Sequence, residues 1–226
     1  MADSTRNETC EIFREETGPI ETGAVRSGVS RREKTKYRLA RAAGECMKTT
    51  PVDALTVKEI ADAAGVTRQT FYRNFLDKYD LINWYFEKLL MESFARMGDG
   101  KSVYDGLTRK FEFIQKEEIF FAAAFRSDDR NSLKEHDYEL ILNFYQELIR
   151  KKTGRLPEEE ILFQLRLYCR GSIHMTVEWL LAEKKCTPRR MAALLVNAMP
   201  RKLEELFRSL DVLGTGKKAC EKNIKK

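Results

Sequence analysis

Apolar residues recur at helical spacing along almost the whole chain, and runs of alternating β-branched residues between hairpin turns are missing. This pattern predicts an all-α fold, because strands would leave a two-residue repeat. At 226 residues the chain is long enough to bury a sizeable core. We expect helices over residues 30–49, 77–97, 102–115, 118–125, 132–152, 157–184 and 187–213, the last kinked near Pro200, and two shorter helices around Gly65.

Charge is unevenly distributed along the chain, whose net charge is +6. We expect a flexible acidic leader over residues 1–29 and a flexible basic tail over residues 214–226. Residues 24–50 are the most basic part of the chain between these ends. A basic balance favours a polyanionic partner without identifying it.

Several classes of protein are disfavoured by what the sequence lacks. The five cysteines are scattered, which indicates neither a disulfide framework nor a metal site. No apolar run is long enough for a membrane span or a secretion signal, so we expect a cytoplasmic protein with no membrane partner. Phosphate-binding glycine loops, nucleophile elbows and HExxH motifs are missing, so we expect no catalytic residues and no cofactor.

Residues 56–75 divide into two short helical segments around a glycine. Thr56 and Glu59 form a capping box, in which each side chain satisfies a free amide at the start of the first segment. Gly65 stands where a left-handed residue is needed to end that segment, and Thr67 can cap the next one. The spacing predicts a helix-turn-helix.

The second segment has two distinct faces. Phe71 and Phe75 lie four residues apart and are expected to hold the helix against the core. The opposite face carries Arg68, Gln69, Tyr72 and Arg73. This face combines donors that can reach base edges with groups that can hold phosphates, which predicts binding in the major groove of DNA. The side chains at the start of the helix are expected to lie nearest the bases.

The segment TVKEIADAAGVTRQTFYRNFLDKYDLI resembles the DNA-binding signature of the TetR/AcrR family of transcription regulators. The resemblance implies a three-helix DNA-binding domain over residues 30–76 and a larger helical domain for ligand binding and dimerisation over residues 77–213. It also implies a homodimeric repressor that binds a palindromic operator in double-stranded DNA and is released or modulated by an unidentified small-molecule effector.

Contacts with DNA are implied for nine residues, namely Thr56, Lys58, Arg68, Gln69, Thr70, Tyr72, Arg73, Asn74 and Lys78. Tyr72 and Lys78 would hold phosphates. Asn74 departs from the histidine that is common in the family, so its phosphate contact would be either weaker or replaced by an amide hydrogen bond. The basic residues Arg31, Arg32 and Lys34 could reach a neighbouring phosphate or the minor groove.

The larger domain offers two sets of candidate residues. Aromatic and polar side chains at helical spacing form either plain core or a ligand pocket, and they are Phe111, Phe121, Phe125, Tyr138, Tyr145, Tyr168, His174 and Trp179. In the family the last two long helices of each protomer pair as a four-helix bundle, for which the candidates here are Gly171, Ile173, Val177, Leu180, Leu194, Leu195 and Leu203.

Three alternatives stay open at the level of sequence. A family member can act constitutively or through a protein partner without a small-molecule effector. A different helix-turn-helix protein would share the motif without the dimer. An enzyme could carry an incidental pair of helices.

Overall fold

The computed structural model describes residues 30–127 and 133–214. The predicted leader and nearly all of the predicted tail lie outside these ranges. Every regular element in the described residues is an α-helix, which confirms the all-α class. The helices are α1 Arg31–Cys46, α2 Val57–Ala63, α3 Arg68–Tyr72, α4 Lys78–Phe94, α5 Val103–Lys116, α6 Glu118–Arg126, α7 Leu133–Thr153, α8 Glu159–Leu181, α9 Pro188–Asn197 and α10 Arg201–Ser209.

Helices α1 to α3 form a small unit at the start of the described chain, and we call residues 31–77 the head. The core of the head contains Leu39 and Ala43 of α1, Ile60 of α2 and Phe71 of α3, and all four side chains are fully buried. Burial of these apolar side chains holds three helices together although α2 and α3 have only seven and five residues.

Helix α4 connects the head to the rest of the chain. Asp77 caps it, because its Oδ1 accepts a hydrogen bond from the Asp80 amide at 2.8 Å. Its buried face repeats every four residues with Ile82, Phe86 and Leu90. The helix packs against α1 on one side and against α5 and α7 on the other, so a single rigid element touches both parts of the protein.

Helices α5 to α10 build a larger unit, and we call residues 103–213 the body. Helix α5 begins with a capping box between Ser102 and Asp105, and α9 begins with Thr187 as cap and Pro188 in its first turn. Phe111 and Tyr145 lie at the centre of the body's core, each at most 2% exposed. None of the described helices combines the length and the apolar character needed to cross a bilayer.

The prediction of one kinked helix over residues 187–213 is wrong. The chain leaves helical geometry at Met199 and Pro200, which has φ −55° and ψ 141°, and α10 starts only at Arg201. Proline has no amide hydrogen to continue a helix and disfavours helical geometry in the residue before it. The body therefore ends in two helices of ten and nine residues, and α8, with 23 residues, is the longest described helix.

Candidate nucleic-acid interface

Helix α2 begins as the sequence predicts. The Thr56 hydroxyl oxygen accepts a hydrogen bond from the Glu59 amide at 3.2 Å, and the Glu59 carboxylate accepts one from the Thr56 amide at 2.8 Å. These two bonds satisfy amides that have no partner within the helix. The Thr56 hydroxyl also donates a hydrogen bond to the Glu59 carboxylate at 2.7 Å, and this bond, followed by the one from the Thr56 amide, lowers the pKa of the Glu59 carboxyl. The first helix of the motif is thus fixed at its start.

The turn between α2 and α3 depends on Gly65. Its φ is +62°, a left-handed conformation that strains residues with a β-carbon. The Gly65 amide donates to the Asp62 carbonyl at 3.0 Å and the Val66 amide to the Ala61 carbonyl at 2.9 Å, the two bonds of a Schellman motif. This turn sets the direction in which α3 leaves α2.

Helix α3 is held in place by aromatic packing. Thr67 caps it by accepting a hydrogen bond from the Thr70 amide at 3.1 Å. Phe71 is fully buried, Phe75 is 3% exposed, and their ring centroids lie 5.9 Å apart. Tyr72, by contrast, is 50% exposed, so the rings of Phe71 and Tyr72 point in different directions from the helix, although their edges are in contact.

The outer face of α3 is formed by Arg68, Gln69, Tyr72 and Arg73, all of them exposed. None of these four side chains makes a hydrogen bond or an ion pair with another residue of the described ranges. Exposed guanidinium, amide and phenol groups without internal partners are free to bind phosphates and base edges. Arg31, Arg32 and Lys34 at the start of α1 are exposed as well.

Two other predicted residues of the motif turn partly inwards. Thr70 is half-buried, and its hydroxyl lies 3.0 Å from that of Thr67. Asn74 is half-buried and donates from its amide nitrogen to the Thr70 carbonyl at 2.7 Å, while its amide oxygen is buried without a partner among the described residues. The amide of Asn74 therefore makes a hydrogen bond within the motif itself.

Lys58 and Lys78 differ in how their ammonium groups are used. Lys58 is exposed and pairs with Asp62 one turn along α2 at 2.8 Å, a contact that water and salt weaken. Lys78 donates to the backbone carbonyls of Asp53 and Leu55 at 2.7 and 2.8 Å. It thereby ties the start of α4 to the loop that precedes α2.

Sequence reasoning missed a contact between the head and the body. The Asp53 carboxylate in the loop between α1 and α2 accepts hydrogen bonds from the Ser127 hydroxyl at 2.6 Å and from the Tyr79 hydroxyl at 3.0 Å. These bonds lower the pKa of the Asp53 carboxyl, the Ser127 bond contributing most. Ser127 ends α6, and no short-range signal links residues 74 positions apart.

Comparison with protein families matches both parts of the chain. Residues 39–84 match the family described as "Bacterial regulatory proteins, tetR family", and residues 101–201 match the family described as "Transcriptional regulator C-terminal region". The chain belongs to the TetR family. It is therefore a DNA-binding transcription regulator, of a class that is generally not enzymatic.

Solved structures show the same fold at low sequence identity. A TetR transcriptional regulator from Streptococcus agalactiae 2603V is 19% identical, with a TM-score of 0.56 over 75% of this chain and 96% of that one. The dihydroxyacetone kinase operon activator DhaS is 18% identical, with a TM-score of 0.51 over 80% and 98% of the two chains. A TetR-family regulator from Streptomyces coelicolor is 16% identical, with a TM-score of 0.51 over 82% and 91%. No curated protein matches the chain in sequence.

The candidate pocket residues of this TetR-family regulator occupy several environments. Phe111, Tyr145 and Tyr168 line one small cavity in the body, and Phe121 lines a second. The remaining candidates line neither of these two cavities. Phe125 packs on Phe86, and Trp179 packs on Phe111 and donates a hydrogen bond to the Cys186 carbonyl. Tyr138 lies under the Arg170 guanidinium. His174 is on the surface beside Glu178, with 74% of its side chain exposed.

The candidate dimer residues also divide into groups. Ile173, Leu180, Leu195 and Leu203 are buried in the body's own core, each at most 6% exposed, so they form no outer surface. Val177 is half-buried, whereas Gly171 and Leu194 are exposed. Large apolar residues that the sequence did not single out are exposed on α8 instead, namely Phe163, Leu167 and Met175.

Proposed function

We propose that this TetR-family regulator binds a palindromic operator as a homodimer and represses transcription until a small molecule enters the body. The observation that carries the proposal is the outer face of α3, with its exposed side chains that have no partners among the described residues. Arg68 and Gln69 lie in the first turn of α3, where helix-turn-helix proteins contact base edges. Tyr72 and Arg73 lie one turn later and bind phosphates, which set the position of the helix without reading sequence.

Selection of bound sequences from random DNA, followed by binding titrations, tests this division. Arg68→Ala and Gln69→Ala are each expected to cost about 1–3 kcal/mol at particular base pairs and so to relax discrimination there. Tyr72→Phe is expected to weaken binding to all sequences alike. Arg73→Ala should do the same and lower the slope of affinity against salt by about one.

Arg189→Ala is the matched control, because Arg189 is an exposed arginine on α9 of the body. It should leave both affinity and discrimination unchanged. If all the α3 variants changed every sequence by the same factor, the assignment of reading and positioning residues would be refuted.

The surface that supports a homodimer lies on α8. Phe163, Leu167 and Met175 are 67%, 61% and 45% exposed, and with Gly171 they recur every four residues along one face. A solvent-exposed apolar stripe of this kind is typical of a helix that packs against a partner. A two-fold axis through it would place two α3 helices in successive major grooves, about 34–36 Å apart, on a palindromic site.

Gly171 adds a second reason for this surface. A β-carbon built at Gly171 would meet nothing within 4 Å in the protomer, so the protomer's own packing does not require a glycine. Glycine inside a helix costs about 0.5–1 kcal/mol relative to alanine. Close approach of a second helix explains why this position lacks a side chain.

Coupling between body and head runs, in this proposal, through α4 and through the Asp53 contact with Ser127. Asp53→Ala removes the acceptor that holds the loop before α2 against the end of α6. We expect operator affinity to fall about fivefold, because coupling energies of this kind are about 1–3 kcal/mol. Amide hydrogen exchange should rise in residues 51–55.

Glu45→Ala is the control for Asp53→Ala. Glu45 is also an exposed acidic residue of the head, but its partner Lys48 is only three residues away in the chain. Equal effects of the two variants on affinity and exchange would show that the Asp53 contact carries no coupling.

A regulator that acts constitutively or through a protein partner is the second candidate. It is favoured by the small size of the two cavities described above, each of which has room for about one water molecule. A thermal-shift screen separates the candidates. Intact operator binding without any stabilising compound would support the second.

A further inference from the structure

An ion pair lies inside the body, between α5 and α7. The Lys110 Nζ is 3.0 and 2.9 Å from the two carboxylate oxygens of Asp137, and the side chains are 6% and 0% exposed. The ammonium also lies 5.4 Å from the centroid of the Phe86 ring. A buried ion pair is often no more stabilising than an apolar pair of the same volume. Stability alone therefore does not explain charges at this place.

Lys110 lines both of these cavities, whereas Asp137 lines neither of the two. The Lys110 side chain thus lies between the two spaces. A molecule in either space would be in contact with this cationic side chain. The other walls of the first cavity are largely apolar and include Phe94, Leu107 and Ile141.

Tyr145 supplies an unused donor in the first cavity. The residue as a whole is 2% exposed, and its hydroxyl makes no hydrogen bond with another described residue. The three other hydroxyls that line this cavity, on Tyr168, Ser172 and Thr176, each donate to a backbone carbonyl. The Tyr145 hydroxyl is therefore the one that remains for a ligand among these four.

We propose that the body binds a small carboxylic acid with an apolar tail, whose carboxylate replaces Asp137 on Lys110 and accepts a hydrogen bond from Tyr145. This inference rests on the proposed control by a small molecule. The replaced group and the ligand group are both carboxylates, so the geometry around the ammonium is kept. Each space now has room for about one water molecule, so binding of the acid requires that Lys110 moves towards it and that the surrounding apolar side chains move apart.

The displaced Asp137 does not have to remain as a buried unpaired charge. Burial raises the pKa of the Asp137 carboxyl, while the Lys110 ammonium opposes this shift. Once Lys110 binds the ligand, a proton from solvent makes the Asp137 carboxyl neutral, so that one cation and one anion are again buried together.

Calorimetry and thermal shift with the full chain test the inference, using octanoate and phenylacetate as probes and octanamide and phenylacetamide as neutral controls. At least one acid is expected to bind at least about tenfold more tightly than its amide, because a hydrogen bond to a charged group is stronger. Asp137→Asn should increase affinity for that acid, since the acid no longer displaces a carboxylate. Affinity for the amide should not change.

The double variant Lys110→Met/Asp137→Leu replaces the ion pair with apolar side chains and is expected to remain folded and to bind the operator. It should lose the preference for acid over amide. The inference would be overturned by any of three results: acids and amides bind equally, neither acid binds, or the double variant keeps the preference for acid over amide. Operator binding is measured on the same samples. If the unaltered protein did not bind the operator, the proposed function would be refuted instead of this inference.

Discussion

Replacing Lys110 by methionine is expected to lower the free energy of unfolding by about 3–5 kcal/mol, the usual cost of removing one partner from a buried ion pair. The Asp137 carboxyl is fully buried, so without the ammonium 2.9 Å away it must either keep its charge in an apolar site or take up a proton at neutral pH, and both cost free energy. Urea unfolding followed by circular dichroism measures the loss. Because burial raises the pKa of Asp137, this carboxyl takes up a proton more readily in the folded than in the unfolded chain, so the loss should be smaller at acidic than at neutral pH.

Two further variants identify the origin of this loss. Lys202→Met removes a lysine whose ammonium is 2.6 Å from Glu160, but both side chains of that pair are more than half exposed. It should cost less than about 1 kcal/mol, because exposed ion pairs contribute little. Lys110→Met/Asp137→Leu should recover most of the stability that Lys110→Met loses. If the double variant lost as much stability as the single variants Lys110→Met and Asp137→Leu lose together, the two charges would not be coupled.

Local signals explain why the head could be predicted from sequence. The capping box of Thr56, the left-handed turn at Gly65 and the cap at Asp77 each depend on atoms within a few residues. A residue type that suits such a position is visible in the sequence itself. The different directions of the Phe71 and Tyr72 side chains follow from helical geometry in the same way.

Tertiary packing explains what the sequence could not reveal in the body. Helix α8 carries large apolar residues on more than one side, so periodicity alone could not show that Ile173 and Leu180 face the core while Phe163 and Leu167 face solvent. The pairing of Lys110 with Asp137 joins residues on different helices. Only the folded chain brings such groups together.

The break at Pro200 shows a different limit. Sequence reasoning expected the proline to bend a helix, which happens when neighbouring elements support both halves. Here Leu203 and Phe207 of α10 are fully buried, and the chain turns between α9 and α10 to place them in the core. Burial of these side chains decides between a kink and a break, and the local sequence does not contain that information.

Leu167→Glu is expected to convert the proposed homodimer into a monomer at micromolar concentration and to weaken operator binding at least about a hundredfold. Burial of one leucine side chain contributes about 1.5–3 kcal/mol, and a two-fold interface contains each substitution twice. A loss of about 3–6 kcal/mol corresponds to roughly 100-fold to 10,000-fold in the dissociation constant of the dimer. Sedimentation velocity and fluorescence anisotropy with a palindromic operator measure the two effects.

Leu156→Glu is the matched control, because Leu156 and Leu167 are both 61% exposed but Leu156 lies in the loop before α8, outside the apolar stripe.

Gly171→Leu tests whether the loss of the dimer comes from disturbed packing and not from the charge that Leu167→Glu introduces. It removes no apolar group, and a β-carbon at Gly171 has open space within the protomer, so the variant should unfold no more easily than the unaltered chain. A second α8 helix at this position would meet the added side chain, and we expect the dimer to dissociate and operator affinity to fall with it. If Gly171→Leu and Leu167→Glu both kept the dimer, the pairing surface would have to lie away from α8. If the dimer were lost while operator affinity stayed unchanged, one head would be sufficient for binding, and the palindromic operator would be refuted.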